Sequence, residues 1–430
     1  MPQPDKNTAP RIITIAAPPA APGTATGASE PASNPGTPAR PVMLNRWQSF
    51  WTMRRIRWHL FKLILGHIRN PVKALGAMRR LIKIRRQYLG DAPFIKVARV
   101  DGRYYYEYNT PGWPSPAYDD YHLTELNRVA PFRHQPFGFK NVIVAITKKC
   151  AMRCEHCFEW EALNGKEKLT VTDLVAIVRQ FQDLGVGQLQ FSGGEPLLRL
   201  PALLSILASV RPGTDFWVIT SGHLLTLENA RALKQAGLTG ITISLDHFHP
   251  DRHDHFRGFA GAYAWVEKAA AHASQVGLVI GLSLCATKAF VTQENLMAYA
   301  RLARRLGAAF IQVLEPRAVG HYAGLPVGLP VAQQRMLEDF FLKLNYNPAY
   351  QHLPMVVYYD YQRRRAGCAA AADRHVYVDT DGQLHACPFC QKPAGSALQQ
   401  DLTNSLAGLR QAGCPVMPAS PTLSAIGENQ

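Results

Sequence analysis

This sequence has no apolar run approaching the ~20 residues a helix needs to cross a bilayer, which sets aside a membrane-spanning helix. Its first residues, with Asp5 and Lys6 among them, lack a charged segment followed by an apolar one, so no signal peptide is expected. No internal repeat is visible, which sets aside a repeat array. Cysteine is scarce, with eight in 430 residues, at 150, 154, 157, 285, 368, 387, 390 and 414. Most of these few are bunched at short spacings, and in a chain this long that argues for metal and against disulfides. Acid is absent from residues 41–90, which hold twelve Lys and Arg and no Asp or Glu. Most of the net charge of +16 therefore belongs to one element, and the rest of the chain is close to neutral.

What is present divides the chain into regions. Residues 1–40 are rich in Pro, Ala, Gly, Ser and Thr, which bury too little apolar surface to offset ordering entropy, so a disordered tail is expected. Residues 41–90 read as a basic amphipathic helical arm. Trp47, Phe50, Trp51, Trp58 and Phe61 interleave with the arginines, and Asn70-Pro71 breaks it into two helices. Two readings stand: an arm docked on the body or on a partner subunit, or an arm meeting an anionic membrane surface or an acidic partner. Nucleic acid is disfavoured, because the basicity sits in one flanking element without a binding motif. Residues 91–138 form a lead-in, with a hairpin over Phe94–Tyr108 turning at Asp101-Gly102 and a loop at Gly112–Pro116. From 139 to 318 strands alternate with helices, the strands at 141–146, 188–191, 215–220, 240–245, 279–285 and 309–315. Six such units imply parallel strands, with ligands bound at their C-terminal ends. A helical connection over 319–366, a Cys-rich region over 367–416 and a flexible tail over 417–430 complete the chain.

Cys150, Cys154 and Cys157 have the spacing C-x3-C-x2-C. Soft thiolates select iron–sulfur clusters and zinc, and three of them can hold three irons of a cubic [4Fe-4S] cluster. No fourth cysteine lies nearby, so the fourth iron would be open to chemistry, as an open position separates catalytic from structural zinc sites. Zinc would want a fourth ligand at short spacing, and His156 inside the triplet is poorly placed to share the metal. Downstream, Ser192-Gly-Gly-Glu-Pro196 follows the strand at 188–191. Paired glycines let a backbone pass close to a ligand, and Glu195 can accept from a cationic amine.

Together these two motifs resemble the radical S-adenosylmethionine (radical SAM) superfamily, over roughly residues 139–317. The resemblance implies a partial (β/α)6 TIM-like barrel, giving an α/β fold with a basic helical N-terminal arm and a small Cys-rich C-terminal extension. It implies that Cys150, Cys154 and Cys157 ligate the cluster, that SAM chelates the open iron, and that Gly193, Gly194 and Glu195 contact the SAM amine. Reduction of the cluster would then split SAM into methionine and a 5′-deoxyadenosyl radical that takes a hydrogen atom from substrate. The segment Ile219–His223 resembles the family's Thr-Asn-Gly, with Ser221 in place of Asn. Ser244-Leu-Asp246, followed by His253-Asp254 and Arg257-Gly258, resembles the S-x-D…H-D…R-G pattern of the peptide-modifying and cofactor-building branches. Ser221, Ser244 and Asp246 are therefore expected at the polar groups of SAM, and Arg257 at its carboxylate or paired with Asp254. The serine and aspartate could equally cap the next helix. The family's aromatic before the third cysteine is His156 here, and Phe158 follows that cysteine.

Other residues admit two readings each. Lys148 and Lys149 would ease reduction of a nearby cluster, or are solvated at a strand end. Glu315 would bind SAM, relay a proton or form a salt bridge. Cys285 reads as a core thiol. His247, His249, His253 and His255 are dense, but the family pattern already accounts for His253. At the C-terminus, residues 376–387 read as a hairpin turning at Asp381-Gly382 that delivers a ligand to a metal. This resembles the SPASM or shorter Twitch extensions. It implies a second, auxiliary [4Fe-4S] cluster on Cys368, Cys387, Cys390 and Cys414, with structural zinc on the same four thiolates as the alternative.

Further expectations follow from the resemblance. The compartment is expected to be reducing, hence cytoplasmic, with peripheral contact at the inner membrane face if the arm binds lipid. SAM and an electron donor such as flavodoxin or ferredoxin are the expected partners. Peptide or protein maturation is the first substrate reading. Modification of a lipid, cofactor or antibiotic precursor is the second, and a non-catalytic Fe-S scaffold the third.

Overall fold

The structure, a computed structural model, describes residues 41–89, 96–133, 138–368, 370, 374–399 and 402–414. The expected tails at 1–40 and 417–430, and the start of the lead-in hairpin, lie outside the described residues.

The N-terminal part comprises β1 (Val42–Met43), α1 (Arg46–Ile68), α2 (Pro71–Leu89), β2 (Ala98–Val100), β3 (Arg103–Tyr105) and α3 (Pro116–Val129). The alternating part follows with β4 (Asn141–Thr147), α4 (Val171–Asp183), β5 (Gln188–Gly193), α5 (Leu200–Ser209), β6 (Asp215–Thr220), α6 (Leu227–Gln235), β7 (Leu238–Ser244), α7 (Pro250–Arg257), α8 (Ala262–Gln275), β8 (Val279–Cys285), α9 (Gln293–Arg305), β9 (Phe310–Leu314) and α10 (Val331–Tyr346). The chain ends in β10 (Met355–Tyr358), α11 (Tyr359–Ala366), β11 (His375–Val378), β12 (Leu384–His385) and α12 (Leu402–Ala412).

All six expected barrel strands are present, and they pair in parallel in the order β9-β8-β7-β6-β5-β4. The sheet is longer than the sequence suggested. The segment read as a helical connection also supplies β10, parallel to β9 at one edge. At the other edge β11 pairs in parallel with β4, and β12 closes the hairpin antiparallel to β11. Nine strands result, and the sheet curves without closing, so the fold is α/β and similar to an open TIM-like barrel.

Side chains alternate across the strands, as a pleat requires. Val142, Val144, Phe191, Ile241, Ile243, Leu282 and Ile311 pack against the helices in the main core. Gln190, Ser192, Ser244, Ser283 and Gln312 point the other way and line an inner cavity. A parallel sheet covered on both faces normally reads as continuous apolar runs. Here the inner face is polar because it surrounds a cavity.

The lead-in hairpin turns at Asp101 and Gly102, both at positive φ (47° and 74°), which suits the tight primed turns that match strand twist. Just after it, Tyr108 packs edge-on against Trp217 and Phe310 beside the inner face.

The arm is helical as read. Asn45 caps α1 in a reciprocal box with Gln48, and Arg69 (φ 56°) ends it in a left-handed turn. Asn70 then accepts from the amides of Val72 and Lys73, so Asn70-Pro71 both breaks one helix and starts the next. The arm docks on the body. Met53 and Ile56 pack with Trp113 and Tyr118, while Ile64, Ala74 and Ala77 pack with Leu123 and Leu126. Among the described residues no helix is long and apolar enough to cross a membrane.

Several imidazoles are held neutral by this packing. Burial pushes His122 and His375 down from 6.5 to about 4. Between those values the unfolded chain binds protons that the folded chain does not, so stability falls as pH drops through that window. Urea unfolding of the metal-free protein should therefore show a midpoint that declines steadily from pH 6.5 to pH 4. His122→Gln should flatten that decline, and an unchanged slope would show that His122 titrates normally.

Candidate active site

The cysteine loop leaves the C-terminal end of β4 and is pinned from four sides. From β5, the amide of Gly194 donates to the Thr147 carbonyl at 2.8 Å, and that of Glu195 to the Lys149 carbonyl at 2.7 Å. From α7, the carbonyls of Arg257 and Phe256 accept from Arg153 and Glu155 at 3.1 Å each. Asn164 brackets Cys150, its side chain accepting from the Cys150 amide and donating to its carbonyl, both at 3.1 Å. His321 donates its amide to the Cys157 carbonyl at 2.9 Å, its Nδ1 lies 2.9 Å from the Cys154 carbonyl, and its ring stacks on Trp160 at 3.7 Å. Asn164, Trp160 and His321 were not found from the sequence, because nothing local signals a contact across 14 or 167 residues.

The glycines are needed for this closeness. A Cβ on Gly194 would lie 2.3 Å from the Lys149 carbonyl oxygen and 3.1 Å from the Cys150 Cβ, and one on Gly193 (φ 122°) 2.4 Å from the Thr147 oxygen. Gly320 meets the Cys157 carbonyl in the same way, at 2.2 Å.

Cys150, Cys154 and Cys157 are free thiols packed together with Met152 and Ala262. Burial pushes Cys150 up to about 11 and Cys157 to about 12, and neighbouring cysteine charge adds to both. Ligation to a metal centre would deprotonate them. Backbone amides of Met152 and Glu159 partly offset the effect at Cys150 and Cys157, and Arg257 stands beside the third thiol, its Nη1 3.6 Å from the Cys154 sulfur.

Arg257 does not pair with Asp254. It forms a buried ion pair with Asp246, Nη2 to Oδ2 at 2.5 Å, while Asp254 caps α8 by accepting from Gly261 and Tyr263. The other Asp246 oxygen accepts from the Cys285 amide at 2.9 Å. Burial raises the Asp246 carboxyl most, but Arg257 together with His156, His253 and the Cys285 amide outweighs it and holds the group below the usual carboxylate range. Breaking such a pair from one side typically costs about 3–5 kcal/mol. Asp246 thus ties β7 to the cysteine loop through Arg257.

Glu195 is tied into the fold. Its carboxylate accepts from the amides of Leu197 and Ser221 and from the hydroxyls of Thr220 and Ser221, at 2.5–3.1 Å. A carboxylate has about four acceptor sites, and these donors engage both of its oxygens. Glu195 and Ser221 thereby lock the ends of β5 and β6 together. Ser244 lines the cavity and makes no hydrogen bond, so its hydroxyl is the available one among the expected contacts. Glu315 takes the salt-bridge reading, with Arg364 at 2.8 Å. Cys285 is more than a core thiol, since it lines the cavity wall beside Asp246.

Lys148 is not solvated. It is buried and meets Asp381 at 2.6 Å, and Lys168 meets the same carboxylate at 3.0 Å. Asp381 sits in the turn of the β11–β12 hairpin, so this contact fastens the C-terminal region to the cysteine loop. Beyond the turn, His385 bridges the Asp379 carboxylate (2.9 Å) and the Cys390 carbonyl (2.8 Å). The Cys387 and Cys390 sulfurs are 3.5 Å apart, and their shared hydrogen bond pulls Cys387 down to about 6 while raising Cys390. Cys368 and Cys414 both lie within electrostatic reach of Cys390. Arg363 faces them.

Among the described residues no three Cys, His, Asp or Glu side chains close around a single-ion site. A cubic cluster spreads its thiolates over separate irons. The residues fit such a group: the thiols are free and buried or half-buried, and the first three lie beside a glycine cradle that a methyl group would fill.

One cavity of about 690 Å³ connects these parts. The cysteine loop contributes His156 and Phe158, and the C-terminal region contributes Gly367, Ala370, Pro388 and Phe389, neighbours of its cysteines. His156 stacks on Phe256 at 4.9 Å, and burial lowers it to about 4, so the ring is neutral. Gly193, Gly194, Glu195 and Ser221 stand behind the cysteine loop and are not part of the cavity wall.

Gly194→Ala should push the cysteine loop out of place. After anaerobic reconstitution this variant should retain about half the iron and sulfide of the parent, the C-terminal share, and its SAM binding should fall at least ~10-fold. Parent-like iron and SAM binding would show that the close approach is dispensable.

Comparison with known proteins agrees with this geometry. Residues 144–302 match the Radical SAM superfamily. The GTP 3′,8-cyclase of Xanthomonas axonopodis pv. citri is 32% identical over 146 residues, 32% of this chain and 43% of that protein. A probable GTP 3′,8-cyclase of Archaeoglobus fulgidus is 33% identical over 138 residues, 32% of this chain and 46% of that protein. The chain thus spans less than half the length of these curated relatives. Streptococcus suis SuiB, solved bound to the precursor peptide SuiA, covers 81% of each chain with a TM-score of 0.51 at 14% identity, which shows a shared fold. The cysteine triplet, the glycine cradle and the central strands of the open parallel sheet therefore lie in the segment, residues 144–302, that is similar to the Radical SAM superfamily.

Proposed function

We propose that the chain is a radical SAM enzyme with two cluster sites facing one substrate cavity. The observation that supports this most is that sequence neighbours of both cysteine sets line the same 690 Å³ space, His156 and Phe158 for one, Pro388 and Phe389 for the other. Cys150, Cys154 and Cys157 would hold the SAM-binding [4Fe-4S] cluster. Cys368, Cys387, Cys390 and Cys414 would hold an auxiliary one, in a SPASM- or Twitch-like extension.

When bound, the first cluster supplies one electron, from a donor such as flavodoxin or ferredoxin, that breaks the SAM sulfonium C–S bond to give methionine and a 5′-deoxyadenosyl radical, which abstracts a substrate hydrogen atom. The chain's own residues position and shield. The Gly193-Gly194 backbone holds the cysteine loop, Ser244 offers a free hydroxyl to SAM, and the neutral His156 ring and Phe158 form an apolar wall. Arg257, its charge paired with Asp246, donates a hydrogen bond to the Cys154 sulfur at 3.6 Å, and hydrogen bonds to the sulfurs are one of the levers on a cluster's potential. Lys148 is neutralised by Asp381, so its part is to join the two cysteine regions.

For the substrate, the wall chemistry favours the second reading from the sequence. On the side of the arm the cavity is lined by Met53, Ile56, Leu60, Met78 and Leu81, with Arg57 among them. This suits a lipid, cofactor or antibiotic precursor with an apolar body and an anionic group. Peptide or protein maturation draws no support from these walls.

Under dithionite the reconstituted protein should convert SAM to 5′-deoxyadenosine, measured by chromatography. Replacing Cys150, Cys154 and Cys157 together with Ala should abolish that release while leaving about one cluster's iron at the C-terminus. Absence of 5′-deoxyadenosine from the fully loaded parent would refute the enzyme reading, and an iron-free triple variant would refute the auxiliary site.

A further inference from the structure

Helix α1 is apolar on two opposite faces. One holds Met53, Ile56 and Ile64 and is buried against the body. The other, at spacings of three and four residues, holds Trp47, Phe50, Trp51 and Trp58, which are 70%, 47%, 55% and 59% exposed. The burial of the first face accounts for docking, and leaves the second unexplained. An ordinary surface helix puts polar residues opposite its core stripe. Four large aromatics gathered on the solvent side of one helix form a patch of the kind that marks an interaction site.

The patch has a distinct chemistry. Trp47 lies 5.9 Å from Phe50 and 6.2 Å from Trp51, ring centre to ring centre. Arg54 stands over the rings of Phe50 and Trp51, and Lys62 over that of Trp58, at 5.5–5.8 Å. No carboxylate occurs from residue 41 to 90. On α2, Val72 and Leu75 are also exposed, at 79% and 43%. Tryptophan suits the boundary between water and acyl chains, being apolar in body with a polar N–H. Basic residues flanking it are drawn to lipid phosphates. The helix lacks the apolar length to span a bilayer, so it would lie in the surface plane.

We propose that this face of α1 docks the protein onto an anionic lipid bilayer. Trp47, Phe50, Trp51 and Trp58 enter the headgroup region, and Arg54 and Lys62 meet lipid phosphates. Charge complementarity selects this occupant over a second copy of the chain, which would set two acid-free basic faces against each other. The opposite side of the same helix, through Met53, Ile56 and Leu60, lines the cavity. A bilayer on the outer face would therefore be one helix diameter from the substrate space.

The test is co-sedimentation of the full chain with vesicles of phosphatidylcholine alone or mixed with phosphatidylglycerol. Binding should require the anionic lipid, weaken with added salt and shift tryptophan emission to shorter wavelength. Replacing Trp47, Phe50, Trp51 and Trp58 together with Ser should cut the bound fraction at least ~10-fold with circular dichroism unchanged. Arg54→Gln with Lys62→Gln should weaken binding to anionic vesicles alone. No sedimentation with anionic vesicles, or sedimentation untouched by both variants, would overturn the proposal. So would loss of a dimer by light scattering in the serine variant without any vesicle binding. The variant lacking Cys150, Cys154 and Cys157 should bind vesicles like the parent, so docking and radical chemistry fail or stand separately.

Discussion

The main chain of Gly194 passes so close to that of Lys149 that no side chain fits between them. The rest of the site depends on this contact. Two amides, of Gly194 and Glu195, reach the cysteine loop's first carbonyls only because the Cβ is missing, and the loop's shape follows from those bonds. Glu195 secures the arrangement from behind by accepting from Leu197, Thr220 and Ser221. It is a buried carboxylate whose donors substitute for water, and it binds the tips of two strands into one rigid rim.

Two ionic ties extend this rim. Asp246 and Arg257 carry it across to β7, with Arg257 touching the Cys154 sulfur. Lys148 and Asp381 carry it to the C-terminal hairpin, which is itself stitched to β4 as an added strand. Buried ion pairs contribute little net stability, yet losing one partner is expensive, so their value lies in fixing geometry. Here they set the position of one cysteine region relative to the other across a shared cavity.

The arm follows a different logic. Its inner face repeats the usual apolar spacing and packs on α3. Its outer face repeats the same spacing with aromatics and cations, which packing on the body does not require. A helix with two such faces joins two environments, and the cavity wall is on one side of it.

Much of this was legible in the sequence. The six strands, the arm's break at Asn70-Pro71 and the primed turn at Asp101-Gly102 follow from periodicity and turn chemistry, which are local properties. Roles of single polar residues were not legible. Glu195 was read as a ligand contact, Asp246 as that or a helix cap, Lys148 as near a cluster or solvated, and Arg257 as bound to the SAM carboxylate or paired with Asp254. In the structure each meets a partner 11 to 233 residues away, for Arg257–Asp246 and Lys148–Asp381 respectively. A carboxylate or a lysine looks the same in sequence whether it awaits a ligand or completes an ion pair. Only the folded sheet, by bringing strand ends together at one rim, decided which charges were already neutralised and which hydroxyl, that of Ser244, remained available.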